Sequence, residues 1–215
     1  MHYPTVNPQK LLENLVPAIL DPENLLIKGN EKEFLTGLPY KEALGSFILS
    51  VSMNYSYGLK GENIRFKILS AEYEDDNNED GAILIEFVNA GNSIVTYLEQ
   101  VSVTPHQKDD ITTELIKQIK KKHKHYSDEY FQTHSLIIFT DKIGAISVKG
   151  VKDFLRDEFK FGFYAIFCLE ETKGKIYRYS IINLDPSKNR YGKFFVYVNT
   201  SDKTYEVSDR ELAKY

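Results

Sequence analysis

Two carboxylates beside an expected β-hairpin are the side chains of this sequence best suited to chemistry. Asp80 stands at the mouth of one expected strand, immediately before its apolar stretch, and Glu99 lies inside the next strand. Side chains of a strand alternate between its two faces, so Glu99 shares a face with apolar neighbours: Val95, Tyr97, Val101 and Val103. A carboxylate there is costly unless it is paired, protonated or bound to a cation. Two such carboxylates could converge on Mg²⁺, which activates water for phosphodiester cleavage.

The same carboxylates also allow plainer interpretations. Glu99 could lie on an edge or a solvated face of the sheet, or it could pair with a lysine. Glu86, on the strand that follows Asp80, is a rival carboxylate whose partner is less obvious. The residue types alone leave these alternatives open.

A basic helix is expected after the two strands, and one of its lysines stands out. The residues Ile111, Leu115 and Ile119 recur at helical spacing, and Lys122 continues the same stripe as its charged member. Its ammonium could extend to the surface, or it could reach a carboxylate and stabilise developing phosphate charge. The surrounding segment 117–125, KQIKKKHKH, could bind phosphates without reading sequence, although a solvated helix end explains it equally well.

The elements that must position these residues follow from hydrophobic periodicity and turn residues. A helix is expected over about 8–20 and another after Pro39; further helices are expected near 109–126 and 148–159. Strands are expected at 63–74, 81–88, 93–104, 134–141, 162–171, 175–185 and 193–200. The order helix, three strands, helix, strand predicts an α/β (α+β) fold with a mixed sheet. The strands at 93–104 and 134–141, which flank the helix near 109–126, are expected to be parallel. An antiparallel β-rich region follows, and the polar last dozen residues are expected to be loosely ordered.

Length and composition limit the class of protein. A chain of 215 residues, 42% hydrophobic and 27% charged, can bury one large core, and we expect a single domain. Its parts are an N-terminal extension at 1–40, an α/β core at 41–170 and a C-terminal β extension at 171–215. One cysteine and the lack of a long apolar run indicate a cytoplasmic protein without a membrane span.

Charge and missing motifs narrow the function. A formal net charge of −4 gives no overall attraction to nucleic acid, although a local basic stripe can still bind it. The chain contains no GxGxxG, GxxxxGK[ST], HExxH, paired CxxC or GxSxG motif. Their absence weighs against dinucleotide enzymes, P-loop ATPases, zincins and serine hydrolases.

With this element order over about 40–140, the segments EDGAILIEF (79–87) and YLEQVSV (97–103) resemble the PD-(D/E)XK nuclease superfamily. The resemblance implies a restriction-endonuclease-like αβββαβ core and Mg²⁺- or Mn²⁺-dependent hydrolysis of nucleic acid, DNA rather than RNA. It assigns Asp80, Glu99 and the main-chain carbonyl of Gln100 as metal ligands. Glu42, on the first core helix, matches the helix glutamate that some members add.

One position departs from the superfamily pattern of Glu-x-Lys, because Val101 stands where that lysine is expected. Some branches supply the lysine from the following helix, so Lys122 or Lys121 could take its role. If neither does, the alternative is a catalytically inactive protein that binds nucleic acid or protein. Aromatic residues near the C-terminus suit a protein partner or a homodimer, although such residues more often belong to a core: Tyr177, Tyr179, Phe194, Phe195 and Tyr197.

Overall fold

The computed structural model describes residues 4–20, 40–70, 81–103, 111–124, 130–140, 147–158, 164–171, 175–183 and 192–212. Within these ranges the chain forms nine strands: β1 (Thr5–Val6), β2 (Ile64–Leu69), β3 (Ala82–Phe87), β4 (Asn92–Val103), β5 (His134–Thr140), β6 (Tyr164–Glu171), β7 (Ile176–Asn183), β8 (Gly192–Asn199) and β9 (Thr204–Ser208). The helices of the same ranges are α1 (Pro8–Ile19), α2 (Tyr40–Leu59), α3 (Ile111–His123), α4 (Tyr130–Thr133) and α5 (Val148–Glu158). The predicted mixed α/β class is confirmed.

The nine strands form one mixed sheet in which spatial order follows chain order. The pairs β4–β5 and β5–β6 are parallel, and every other pair is antiparallel. Helix α3 lies between β4 and β5 in the chain, and α5 lies between β5 and β6. Both helices contribute to one apolar cluster, so they cover the same face of the sheet. The connections β4–α3–β5 and β5–α5–β6 are both expected to be right-handed crossovers, and both step in the same direction along the sheet. Their two helices must therefore lie on the same face.

Helix α2 is the centre of the larger apolar core. Residues 43–53 are all buried, so this helix meets protein on every side. Phe47 packs edge-on against Tyr205 of β9 at 5.2 Å between ring centroids, while Tyr57 contacts Phe66 of β2 at 5.1 Å. Strands from both ends of the sheet therefore reach the same helix, and the sheet curves around it.

The final strand corrects the expectation that the last dozen residues are loosely ordered. Residues 204–208 form β9, which pairs with β8. Tyr205 and Val207 alternate with polar residues and pack against the α2 core. The turn before β9 is closed by Asn199, whose Oδ1 accepts hydrogen bonds from the backbone amides of Ser201 and Asp202. This polar segment is therefore held by its backbone pairing with β8 together with two apolar residues at a spacing of two.

Strand β4 separates the two cores, and its residues alternate between them. Leu98 belongs to the core around α2, whereas Val101 and Val103 belong to the core under α3 and α5. Glu99 therefore points towards α3, and the side chain of Gln100 points towards α2. None of the helices in the described ranges is both long enough and apolar enough to cross a membrane.

Candidate active site

The candidate site lies next to the end of the described pairing between β3 and β4. The described part of β3 pairs with β4 as far as Ala82 opposite Tyr97, and the Leu98 amide donates a 2.7 Å hydrogen bond to the Gly81 carbonyl. Glu99 is the next residue of β4, and on the other side it pairs with Leu136 of β5. Glu99 therefore lies one residue beyond Leu98, the last β4 residue bonded to the described residues next to β3.

The Glu99 carboxylate is buried and held by two side chains from different elements. Glu99 is only 4% exposed. Lys122 of α3 donates from Nζ to Glu99 Oε2 at 2.5 Å, and the Tyr130 hydroxyl of α4 donates to Oε1 at 2.5 Å. The Lys122 side chain remains 27% exposed, so its ammonium lies between the carboxylate and the surface. The buried charge is balanced by an opposite charge and a hydrogen bond, as its low-dielectric surroundings require.

Tyr130 is the site residue that the sequence did not reveal. Its ring stacks on His134 with centroids 3.5 Å apart, and His134 also stacks on Tyr97 at 5.2 Å. His134 Nδ1 lies 2.6 Å from the Tyr130 carbonyl oxygen and 2.9 Å from Thr133 Oγ1. Tyr130 and His134 are four residues apart, a spacing that brings side chains together on a helix. Here the helix ends at Thr133 and His134 begins β5, so the spacing alone did not predict the stack. This stack fixes the ring whose hydroxyl holds Glu99.

Of the other carboxylates and lysines predicted for the site, only Lys122 is seen to contact Glu99 within the described residues. Asp80 lies outside the described residues; its chain neighbour Gly81 is the one paired with Leu98. Glu86 forms a 2.6 Å ion pair with Lys67 of β2, and that pair is partly exposed. Of the two candidate lysines on α3, Lys122 reaches Glu99, whereas Lys121 is exposed.

Gln100 contributes differently through its side chain and its main chain. Its side-chain Nε2 donates a 2.8 Å hydrogen bond to the Glu42 carbonyl, on the opposite face of the sheet from the Glu99 carboxylate. Backbone carbonyls along a strand point alternately to its two neighbours. Because Leu98 pairs with Gly81, the Gln100 carbonyl points to the same side, beyond the described end of β3. The main chain of Gln100 therefore faces the β3 side of β4, whereas its side chain packs towards α2.

The surface next to Lys122 is basic. Lys120, Lys121 and Lys124 are exposed at the end of α3, and Lys120 lies 5.0 Å above the Phe154 ring of α5. The described residues hold no group of three or more His, Cys, Asp or Glu side chains placed to bind a metal ion. A metal at Glu99 would therefore need main-chain oxygens or residues outside the described ranges.

No protein-family model matches this chain, and no curated protein is similar to it in sequence. The chemistry of the site follows from its own geometry. That geometry joins a buried carboxylate, an ammonium and a phenol hydroxyl at the end of β3.

Proposed function

We propose that this protein is a metal-dependent deoxyribonuclease of restriction-endonuclease-like fold that hydrolyses DNA phosphodiester bonds in the cytoplasm. The observation that carries the proposal is the contact between Lys122 and the buried Glu99 carboxylate. The PD-(D/E)XK pattern places a lysine beside the catalytic glutamate, and here Val101 occupies the strand position where it is expected. An ammonium from the following helix supplies the same charge beside the same carboxylate.

The donor atoms near Glu99 suit a magnesium or manganese ion. The proposed ligands are the carboxylates of Asp80 and Glu99 and the main-chain carbonyl of Gln100, all of them oxygens, which these ions prefer. Each Glu99 oxygen accepts one of the two hydrogen bonds described and has further lone-pair capacity. When bound, such an ion would supply an activated water and Lewis-acid stabilisation of the phosphate.

Two side chains of the site have roles of their own in this proposal. Lys122 has three ammonium protons, and its partly exposed side chain could present one of them to a phosphate oxygen while another holds Glu99. An ammonium in this place would stabilise the charge that develops on the phosphate as the bond breaks. Tyr130 would fix the orientation of the Glu99 carboxylate through its hydroxyl. The exposed lysines of α3 would bind neighbouring phosphates without sequence preference.

Cleavage assays test this proposal directly. Purified protein is incubated with plasmid and single-stranded DNA in Mg²⁺, Mn²⁺ or EDTA. We expect metal-dependent cleavage that is lost in Glu99→Gln and in Asp80→Asn. Glu86→Gln is the matched control, because Glu86 is also a lysine-paired carboxylate on the sheet but is not at the site. Cleavage that survives in folded Glu99→Gln would refute the assignment.

A second candidate function is a catalytically inactive protein that keeps this fold and binds nucleic acid or another protein. The observation that favours it is that both Glu99 oxygens already accept hydrogen bonds from side chains, so the carboxylate is stabilised without a metal. Titration with Mn²⁺ by calorimetry separates the candidates. Binding that Asp80→Asn abolishes supports the nuclease, and no binding together with no cleavage supports the inactive protein.

Four of the five aromatic residues predicted as partner contacts near the C-terminus offer little to a partner, and the fifth, Tyr177, is partly buried against the α2 core. Tyr179, Phe194, Phe195 and Tyr197 are buried in this chain, so they contribute to its own core. If the inactive protein binds a partner, the exposed lysines of α3 are the better candidate contact. This surface favours nucleic acid over an apolar protein partner.

A further inference from the structure

A cleft of about 550 Å³ lies on the α2 face of the sheet, behind the candidate active site. Helix α2 forms one wall with Leu49 and Met53, and strands β2 and β3 form the other with Phe66, Ile83 and Ile85. Sites for small molecules commonly enclose roughly 300–1,000 Å³ and are lined mainly by apolar side chains. The cleft has the size and the lining of such a site.

Three hydroxyl side chains lie together at one end of the cleft, and the Tyr57 side chain of α2 is a further lining residue with a hydroxyl group. Thr96, Thr133 and Ser135 line that end, and Thr96 Oγ1 lies 3.2 Å from both Ser135 Oγ and the Thr133 carbonyl oxygen. Hydroxyl groups rotate and can either donate or accept, so they could exchange this contact for one to a ligand. The hydroxyl end would therefore recognise one hydrogen-bonding group of either kind.

The described lining of the cleft carries no charged side chain. An ion in such surroundings would lose its hydration without gaining an opposite charge, which is strongly unfavourable. The Met53 side chain is flexible, because its unbranched thioether can adopt several rotamers and fit ligands of different shape. These features select an uncharged molecule over a fatty acid or a nucleotide.

The mouth of the cleft is marked by an exposed apolar residue. Ile94 of β4 lines the cleft and is 53% exposed, whereas Ile85, its cross-strand partner on β3, is half-buried. An exposed isoleucine beside an apolar cavity loses unfavourable contact with water when a ligand covers it.

We propose that this cleft binds an uncharged, mainly apolar small molecule that carries one hydrogen-bonding group. Its rings or chain lie between α2 and the strands, and its polar group meets the hydroxyls of Thr96 and Ser135. Because the cleft opens on the face of β4 opposite Glu99, this binding is independent of the proposed cleavage of DNA.

Calorimetric titration with N-phenyl-1-naphthylamine, an uncharged two-part aromatic molecule with one N–H, tests the proposal. We expect one molecule to bind per chain with a Kd of roughly 10–200 µM, as the usual affinity per atom of a ligand of this size suggests. Ile85→Trp fills the cleft and should weaken binding at least tenfold. Ile94→Trp places the same bulk at the exposed mouth and should also weaken binding. Because Ile94 is exposed, this variant should not disturb the packing of the core. Leu20→Trp adds the same side chain at an exposed site on the end of α1 and should leave the Kd unchanged.

Several results would overturn the proposal. These are an absence of saturable binding, equal binding by wild-type protein and both cleft variants, or equally tight binding of the anionic analogue 1-anilinonaphthalene-8-sulfonate. A wild-type dimer that Ile94→Lys converts to a monomer would show that a second copy covers the cleft instead. Molar mass from light scattering, measured beside the titrations, gives that last result.

Discussion

Buried polar side chains are stabilised differently on the two faces of the sheet at β4, the face towards α2 and the face towards α3. On the α2 face, neutral side chains bond to the backbone: Gln100 donates to the Glu42 carbonyl, and Ser50 donates to the Phe66 carbonyl at 2.8 Å. Asn54 forms two bonds to the backbone of Phe66. On the α3 face, the next residue of the same strand, Glu99, is charged and is held by the ammonium of Lys122.

This difference separates a structural role from a chemical one. Neutral side-chain bonds to backbone groups satisfy buried donors and acceptors at little cost and fix how α2 packs on β2. A buried ion pair is a poor source of stability, because both ions lose their hydration and apolar replacements are often as stable. Stability alone therefore does not account for Glu99 and Lys122, and the proposed nuclease function would give this pair a role in stabilising phosphate charge.

The largest expected effect comes from removing the cation of the charged face. Lys122→Met should lower the free energy of unfolding at pH 7 by about 2–4 kcal/mol, because Glu99 is left buried without its opposite charge. The double variant Glu99→Gln with Lys122→Met should recover most of that loss. Urea denaturation of the single and double variants measures both values. A loss below about 0.5 kcal/mol for Lys122→Met, the range of exposed ion pairs, would mean that water already stabilises Glu99.

A smaller effect is expected on the neutral face, where Gly45 of α2 touches Gln100. A Cβ added at Gly45 would lie 2.3 Å from Gln100 Oε1, so Gly45→Ala must displace a buried amide that is bonded to Glu42. We expect a loss of about 1–2 kcal/mol, as for other overpacked sites. The added cost should shrink when Gln100→Ala is also present.

Gly58 is the matched control on the same helix, because a Cβ added there meets nothing within 4 Å. Gly58→Ala should be neutral or stabilising by up to about 1 kcal/mol, the helix propensity difference. Thermal and urea denaturation of both alanine variants provides the comparison. Equal stability of Gly45→Ala and Gly58→Ala would show that Gln100 is not fixed in this contact.

Periodicity predicted most of the fold and part of the site. Alternation along β4 placed Glu99 on one face, and the helical stripe through Ile119 placed Lys122 towards the same core, so their proximity could be anticipated. These are regular elements in which residue spacing determines direction. The parallel pairing of β4 and β5 followed from the intervening helix.

Features that depend on tertiary packing could not be predicted in this way. Tyr130 lies in a four-residue helix after a polar segment without periodicity, and its place at Glu99 depends on stacking with His134. The cleft exists because α2 leaves space against three strands, which no local pattern encodes. Strand β9 was missed because Tyr205 and Val207 are isolated apolar residues in a polar tail.

A still smaller effect is expected from the hydroxyl that fixes the Glu99 carboxylate. Tyr130→Phe removes the hydrogen bond to Glu99 Oε1 and keeps the ring on His134, so we expect a loss of about 1 kcal/mol. Tyr130→Ala should cost more, because the stacked ring is lost as well. Urea denaturation measures the two variants. Equal losses would indicate that the ring contributes nothing and that the hydroxyl carries the whole effect.

The smallest expected effect is the loss of stability at alkaline pH that comes from the buried hydroxyl of Tyr179 on the α2 face. Burial, with a smaller contribution from Tyr177, raises the pKa of the Tyr179 hydroxyl far above its ordinary value near 10, and burial also raises the pKa of Tyr205. Above pH 10 the unfolded chain releases a proton that folded Tyr179 retains, so stability present below that pH is lost as pH rises. Between pH 9 and 10.5 wild-type protein should lose about 0.8 kcal/mol more than Tyr179→Phe.

Urea denaturation at both pH values of wild-type protein, Tyr179→Phe and Tyr205→Phe measures this difference. Tyr205 is only half-buried, so its variant should change the alkaline loss less than Tyr179→Phe does. Identical alkaline losses in wild-type protein and Tyr179→Phe would mean that Tyr179 ionises as readily in the folded state as in the unfolded one. The α2 face would then admit charge, and the contrast between the two faces of β4 would reduce to the single ion pair at Glu99.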